Sequence, residues 1–289
     1  MNKIAVIADS NSSITHEAAK ELGINVLPMP FFIDEELYFE DVDLTKDGFY
    51  EKLKDGCNVS TSQPSPADIA DLWDKLLKDH DEIVHIPMSS GLSASCETAM
   101  ALARSYDGKV QVVDNQRISL TQKSSALDAL ELIKSGKNAK EIKTILENEK
   151  AEASIYIMVD TLEYLKKGGR ITPTAAMIGT VLKLKPVLQL QGEKLDSFAK
   201  ARSQKLAKKI MTDAIVIDLE ERFKEATEKG YMRMGVCHTA NEEEAALFAK
   251  ELEKVFPGAE IEIESLPLSI ACHIGPGTLA ITATKKVEV

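Results

Sequence analysis

The chain predicts an α/β protein built as two domains. Through the first half, short apolar runs end in polar loops that open helices, the pattern of a mainly parallel sheet flanked by helices. In the second half a hairpin signal interrupts that alternation, which calls for a mixed sheet. The 289 residues, 44% of them hydrophobic, suffice for two ordinary domains with their own cores. The expected boundary falls near residues 149–152, giving an N-terminal domain over 1–150 and a C-terminal domain over 151–289.

Taken in order, Ile4-Ala5-Val6-Ile7-Ala8 is an unbroken apolar run typical of a buried parallel strand. The loop Asp9-Ser10-Asn11-Ser12-Ser13 follows, then a helix over 15–22 stopped by Gly23. That order puts the loop at the carboxyl edge of the sheet, where open α/β sheets bind ligands. A strand at 24–27 runs into Pro28 and Pro30, and 33–39 reads as a hairpin or edge ribbon. A helix over 46–54 ends at Gly56. After Ser60-Thr61-Ser62-Gln63-Pro64, Ser65 with Asp68 makes a capping box and Pro66 takes the first position of a helix over 66–80. Residues 83–87 form a strand, 89–95 a loop, and an Ala-rich helix runs to about Ser105. A strand at 110–113 precedes helices over 119–135 and 139–148, the second capped by Asn138 with Glu141.

Beyond the boundary, 154–159 is a strand. Asp160 with Glu163 caps a short helix closed by Gly168-Gly169-Arg170, and Thr172-Pro173 opens another. Strands at 186–190 and 195–199 flank Gln191-Gly192-Glu193, the hairpin signal. Helix, strand (233–238), helix, strand (260–264) and a strand at 279–283 complete the half. No internal repeat is visible.

Composition excludes several classes. A net charge of −11 argues against nucleic acid or an anionic membrane surface as main partner. Cys57, Cys96, Cys237 and Cys272 are scattered without metal-ligand spacing, as free thiols in a reducing cytosol are. No apolar run is long enough for a signal peptide or a membrane span, so a cytoplasmic protein is expected. Walker A and dinucleotide fingerprints are absent. His16, His80, His85 and His238 lack metal spacing and read as surface or helix residues. The nine Met read as core filler, which would also suit an acyl tunnel.

The chemistry concentrates in hydroxyls. If their strands are parallel, the loops 9–13, 60–65 and 89–95 share one sheet edge, and converging Ser and Thr side chains suit a carboxylate or phosphate. Helix N-termini would add N–H donors. Each hydroxyl also has an ordinary use as cap or turn, which suffices for Ser65 and competes at Thr61 and Ser93. His273 stands before the rigid turn Gly275-Pro276-Gly277 and, alone, reads as a structural histidine. Gly91-Leu92-Ser93-Ala94-Ser95 is one residue short of a nucleophile elbow, and the order Ser93, an Asp, His273 matches an acyl hydrolase. Against that alternative, no oxyanion segment of the HGGG type exists and no Asp is marked as the orienting acid.

Together these residues resemble the DegV family. The resemblance rests on Asp9-Ser10, Thr61-Ser62-Gln63-Pro64-Ser65, Ser89-Ser90-Gly91-Leu92-Ser93, Leu162 to Ile171 with Gly168-Gly169-Arg170, Lys185-Pro186-Val187-Leu188, and His273 with its Gly275-Pro276-Gly277 turn. It spans essentially the whole chain, with the motifs in family order. It implies a ligand tunnel between two α/β domains holding one long-chain fatty acid. It also implies a non-enzymatic role as the fatty-acid-binding subunit of a bacterial fatty acid kinase. A separate ATP-binding subunit would phosphorylate the acid for phospholipid synthesis. Carried over by position, Thr61, Ser62 and Ser93 ligate the carboxylate and His273 reaches in from the second domain. Arg170 falls near the head group or the kinase-docking surface. Arg202 and Lys200 join it as docking candidates because they are basic on an acidic protein. No cofactor or metal is expected, nor any stable membrane insertion beyond transient contact. This chain departs from the family at Asn115, where Ser is usual. Thr121 and Lys123 replace the glycines of a Ser-x-Gly-x-Gly helix start, and Ala94-Ser95 replaces a Gly-Thr pair. These departures bear on chain length and unsaturation, not on the class.

Overall fold

In the computed structural model, which describes residues 2–177, 184–191 and 194–289, the first apolar run becomes β1 (Ile4–Asp9). It pairs in parallel with β2 (Ile24–Leu27) on one side and β6 (Glu82–Ile86) on the other. Together with β7 (Val110–Val112) they make a four-stranded parallel sheet in the order β2-β1-β6-β7. One face packs on the helix Leu120–Lys134 and the helix Ala139–Asn148 through Ala126, Leu132, Ile142 and Leu146. The other packs on the helices Pro66–Leu76 and Ser95–Ala103 around Trp73. The Asn138 and Glu141 capping box is present in both directions.

Between these elements the chain builds a third sheet, which the sequence reading held only as a ribbon. Strands β3 (Pro30–Ile33), β4 (Glu36–Phe39) and β5 (Val59–Thr61) pair antiparallel in the order β4-β3-β5. Thr61 therefore leaves this small antiparallel sheet, not the parallel one. Phe31, Ile33 and Val59 need cover on one face, and Phe49, Tyr50 and Leu53 of the helix Lys46–Lys54 supply it.

The second half forms a six-stranded mixed sheet. It comprises β8 (Ala153–Met158), β9 (Lys185–Leu190), β10 (Asp196–Ala201), β11 (Met232–His238), β12 (Ile261–Ser265) and β13 (Leu279–Lys285), in the order β10-β9-β8-β13-β11-β12. Only β11 and β12 pair in parallel. Strands β9 and β10 form the expected antiparallel pair, while Gly192 and Glu193 of the hairpin signal lie outside the described residues. One face, with Tyr156, Met158 and Ile281, packs on the helices Gln204–Glu220 and Glu242–Val255. The opposite face, with Ile155, Ile157, Val159 and Leu188, meets Met29, Met88, Leu92 and Leu120 of the first half in one shared apolar cluster.

Several local expectations change. The helix expected over 66–80 closes at Leu76 in turns, and Ser65 caps it without the return bond of a full box: its Oγ accepts from Asp68 N and donates to Asp68 Oδ2. Asp160 does not cap the helix Glu163–Gly168; Thr161 Oγ1 accepts from Glu163 N, while Asp160 pairs with Lys185 at 2.5 Å. Beyond β13, Val287 returns to the core of the first sheet, so the division at residue 150 is not a clean cut. Lys123 ties the halves together by ion pairs to Glu262 and Glu264.

His85 and His238, expected at the surface or on helices, are buried strand residues. Both ring nitrogens of His85 lack a hydrogen-bond partner, and the ring lies edge-on to Trp73 with centroids 5.7 Å apart. Desolvation lowers its pKa from 6.5 to about 3. The folded protein thus keeps His85 neutral where an unfolded chain would protonate it, and stability falls as the pH drops from 6.5 toward 3. His85→Phe removes that term while keeping the ring against Trp73. Denaturant unfolding of the two proteins should show wild type losing roughly 2 kcal/mol more than the variant between about pH 7 and 5. Equal losses would mean that His85 is not held neutral.

Candidate functional site

The hydroxyl-rich segments and His273 meet at one cavity of about 230 Å³ between the two halves. Thr61, Ser62, Ser93, His273 and Arg170 all line it. Behind them stand Met29, Met88, Leu92, Leu165, Leu195 and Ile274, members of the shared apolar cluster. The site is a polar mouth on an apolar wall.

Each polar group has a structural reason for its position. Thr61 is the end residue of β5, registered opposite Phe31. Ser93 sits in the loop after β6, where Leu92 N and Ser93 N both bond Ser89 O. Its Oγ accepts from Ser95 N at 3.2 Å, leaving the hydroxyl proton free to point elsewhere. Ser93 is thus both turn residue and cavity wall. Ser62 is exposed, with Oγ on Gln63 O at 3.1 Å.

His273 is carried by a short helix, Leu268–Ile274, which the sequence reading did not foresee. That helix follows β12, yet Leu268, Ala271 and Cys272 pack against Phe31, Phe49 and Leu53 of the small sheet domain. Its start is held from the first half too: Leu268 N donates to Glu40 Oε2 at 2.7 Å and Ser269 Oγ to Asn11 Oδ1. Its end is fixed by the Gly-Pro-Gly turn. Thr239 Oγ1 donates to Gly275 O at 2.6 Å, and Gly277 N to Thr239 O. Gly275 has φ of +70°, and a Cβ there would stand 2.5 Å from the Tyr164 ring. Only glycine fits.

So held, His273 Nε2 shares a 2.7 Å hydrogen bond with Thr61 Oγ1 across the domain junction. Nδ1 is buried without a partner, closed in by Gly168, where any Cβ would collide with it. Desolvation first, and the nearby Arg170 second, lower the imidazole pKa to about 4, so it is neutral at neutral pH. Arg170 Nε donates to Leu92 O at 3.1 Å and a terminal nitrogen to Gly168 O, tying the Gly-Gly-Arg turn to the Ser93 loop. Arg202 is exposed after β10 and does not line the cavity.

Three polar wall residues were missed as site residues, Asn11, Gln63 and Ser269. Asn11 lies in the loop 9–13 and Ser269 four residues before His273, but a hydrogen bond between residues so far apart in sequence leaves no local signal. Beneath them Asp9 is fully buried, accepting from Asn11 N, Gln122 Nε2 and Met88 N. Burial raises its pKa to about 6 despite these donors. It joins the loops after β1 and β6 to the helix Leu120–Lys134.

The hydrolase alternative loses its geometry. A serine nucleophile needs a histidine base oriented by an acid. Here Nε2 is engaged by Thr61 and Nδ1 meets no carboxylate among the described residues. No group of metal-ligating side chains occurs among the described residues either, nor a helix long and apolar enough to cross a membrane.

A family model described as "Uncharacterised protein, DegV family" matches residues 3–286. The chain belongs to the DegV family. Protein DegV of Bacillus subtilis (strain 168) is 34% identical over 282 residues, covering 96% of this chain and 98% of that protein. The crystal structure of DegV from Bacillus subtilis, described as a fatty acid binding protein, superimposes with a TM-score of 0.86 at 33% identity over 99% of this chain and 100% of that one. A DegV family protein from Thermus thermophilus, described by its fatty acid binding, gives 0.86 at 30% identity, covering 98% and 99%. The two-domain α/β architecture is the DegV architecture.

His273 should titrate near pH 4 by NMR, well below an exposed histidine. Gly168→Ala, in a helical position that accepts Ala, should drive the ring off Thr61 and return its pKa toward 6.5. An unchanged titration in that variant would contradict the packing described.

Proposed function

We propose that this chain holds one long-chain fatty acid between its domains, the carboxylate at Thr61, Ser62, Ser93 and His273 and the acyl chain along the shared apolar cluster. The observation that carries the reading is the Thr61–His273 hydrogen bond at the mouth of a cavity walled by Met29, Leu92, Leu165 and Ile274. The fatty acid binding described for the Bacillus subtilis and Thermus thermophilus relatives supports it. Burial of the chain contributes about 0.8 kcal/mol per CH₂, on the order of 10 kcal/mol for a long-chain acid before the costs of association.

The carboxylate must then find donors, because a buried anion without partners is costly. Thr61, Ser62 and Ser93 each carry a hydroxyl proton, and Arg170 adds a fixed positive charge. An incoming carboxylate also favours protonated His273, drawing its pKa up from about 4. The group is met by donors that leave an oxygen presentable.

The finer reading is that this chain presents the acid to a separate ATP-binding kinase subunit, which forms the acyl phosphate for phospholipid synthesis in the cytoplasm. The chain has no nucleotide fingerprint of its own, and Arg170, Lys200 and Arg202 are basic groups on an acidic protein. In this scheme it supplies the substrate and does not catalyse.

Extraction and mass spectrometry of the purified protein should recover fatty acid, and Thr61→Val should weaken binding roughly tenfold or more, the effect of losing one hydrogen bond to a charged group. Protein that carries none and binds none added would end the proposal. For the partner, Arg202→Ala should retain fatty acid, yet its bound acid should be phosphorylated more slowly at limiting kinase. Unchanged rates in both Arg202→Ala and Arg170→Ala would remove the docking assignment.

A further inference from the structure

A second cavity, of about 290 Å³, opens where the first half passes into the second. Arg117, Lys150 and Arg222 line it, and no Asp or Glu does among the described residues. On a chain of net charge −11, three cations around one hollow are out of character.

Arg117 is the unusual member. It is 2% exposed, with its two terminal nitrogens on Ser125 Oγ (3.1 Å) and the Glu149 carbonyl (2.6 Å). Its Nε–H is buried without a partner. No carboxylate lies within ion-pair distance among the described residues, and Asp128 is engaged by Arg233 at 2.7 Å. Asp128, Glu149 and Glu152 act on the buried guanidinium only at longer range, so its unpartnered Nε–H is still open to an incoming anion. Arg222 reaches the rim just after the helix Gln204–Glu220, where it pairs with Asp218 at 3.0 Å and donates to Ser154 Oγ and Ala151 O, bringing its charge but no free terminal nitrogen. Lys150 is exposed and forms no ion pair among the described residues.

The floor is apolar. Ile155 and Leu190, a registered pair on β8 and β9, belong to the same cluster that backs the first cavity. Residues 155, 157 and 159 share one face, so Ile155 lies about 13 Å along the strand from Val159 at the rate of 3.3 Å per residue. Ile155 and Leu190 line the second cavity and not the first.

We propose that this junction is a second anion-binding site, formed by Arg117, Arg222 and Lys150, for a carboxylate or phosphate borne on a short apolar body. Planar guanidinium groups meet such oxyanions in bidentate fashion, and Gln116 adds a neutral amide beside them. The site stands independently of the fatty-acid reading.

Calorimetric titration of the whole chain with hexyl phosphate, hexanoate, inorganic phosphate and 1-hexanol tests it. Saturable binding of hexyl phosphate or hexanoate is expected, with none for hexanol. Lys150→Gln and Arg222→Gln should each weaken the hexyl phosphate binding roughly three- to fivefold, and Thr61→Val should leave that binding unchanged. Because Arg117 also holds the Glu149 carbonyl, the two rim variants carry the test even if Arg117→Gln unfolds. Absence of saturation, equal binding of hexanol, insensitivity to both rim variants, or loss in Thr61→Val would each overturn the site. Inorganic phosphate binding as tightly as hexyl phosphate would overturn the role of the apolar floor.

Discussion

The structure depends on where one short helix is allowed to sit. Leu268–Ile274 comes after β12 and precedes β13, so its ends belong to the six-stranded sheet. Its buried face is completed by the small antiparallel sheet of the other half, through Leu268, Ala271 and Cys272. Hydrogen bonds from Leu268 and Ser269 to Glu40 and Asn11 fix its start, and those of the Gly-Pro-Gly turn to Thr239 fix its end. Held at both ends, the helix has no freedom to carry His273 away from Thr61. The cross-domain hydrogen bond follows from the packing, not the reverse.

The same division of labour shapes the electrostatics. The polar mouth is made of neutral hydroxyls and an imidazole kept neutral by burial, with one guanidinium tied to backbone carbonyls nearby. Such a site changes little in charge when empty, yet offers several donors and a proton acceptor to an anion. Behind it the apolar cluster draws residues from both halves. Neither domain alone would bury that surface, so the interface and the cavity are one construction.

Much of this was legible in the chain. Strand-loop-helix alternation gave the parallel sheet, the hairpin signal gave the mixed one, and caps at Ser65, Asn138 and Thr172 lie where helices begin. The failures have physical causes. Only the ribbon at 33–39 is legible from the small sheet, because β5 is three residues long and its partner β3 lies nearly thirty residues earlier in sequence. His85 reads as a surface or helix residue because strand periodicity does not say which polar residue goes unsatisfied. Thr61, Ser62, Ser93, Arg170 and His273 were singled out by residue type and family pattern, and all five line one cavity. Asn11 and Ser269 escaped because their significance is the contact they make with each other.

Strand β13 has a consequence for how the protein comes into being. It lies between β8 and β11 at the heart of its sheet and is made after all the others. Val287 beyond it fills part of the first sheet's core. During synthesis, β8 can pair with β9 on one side but must wait for its other partner more than a hundred residues downstream, that edge's N–H and C=O groups meanwhile unpaired. The parallel sheet can gather early, but the helix bearing His273 gains its final anchorage only when β13 slots home. A chain that stops before residue 279 lacks the one strand that joins β8 to β11, and with it the sheet that backs the cavity.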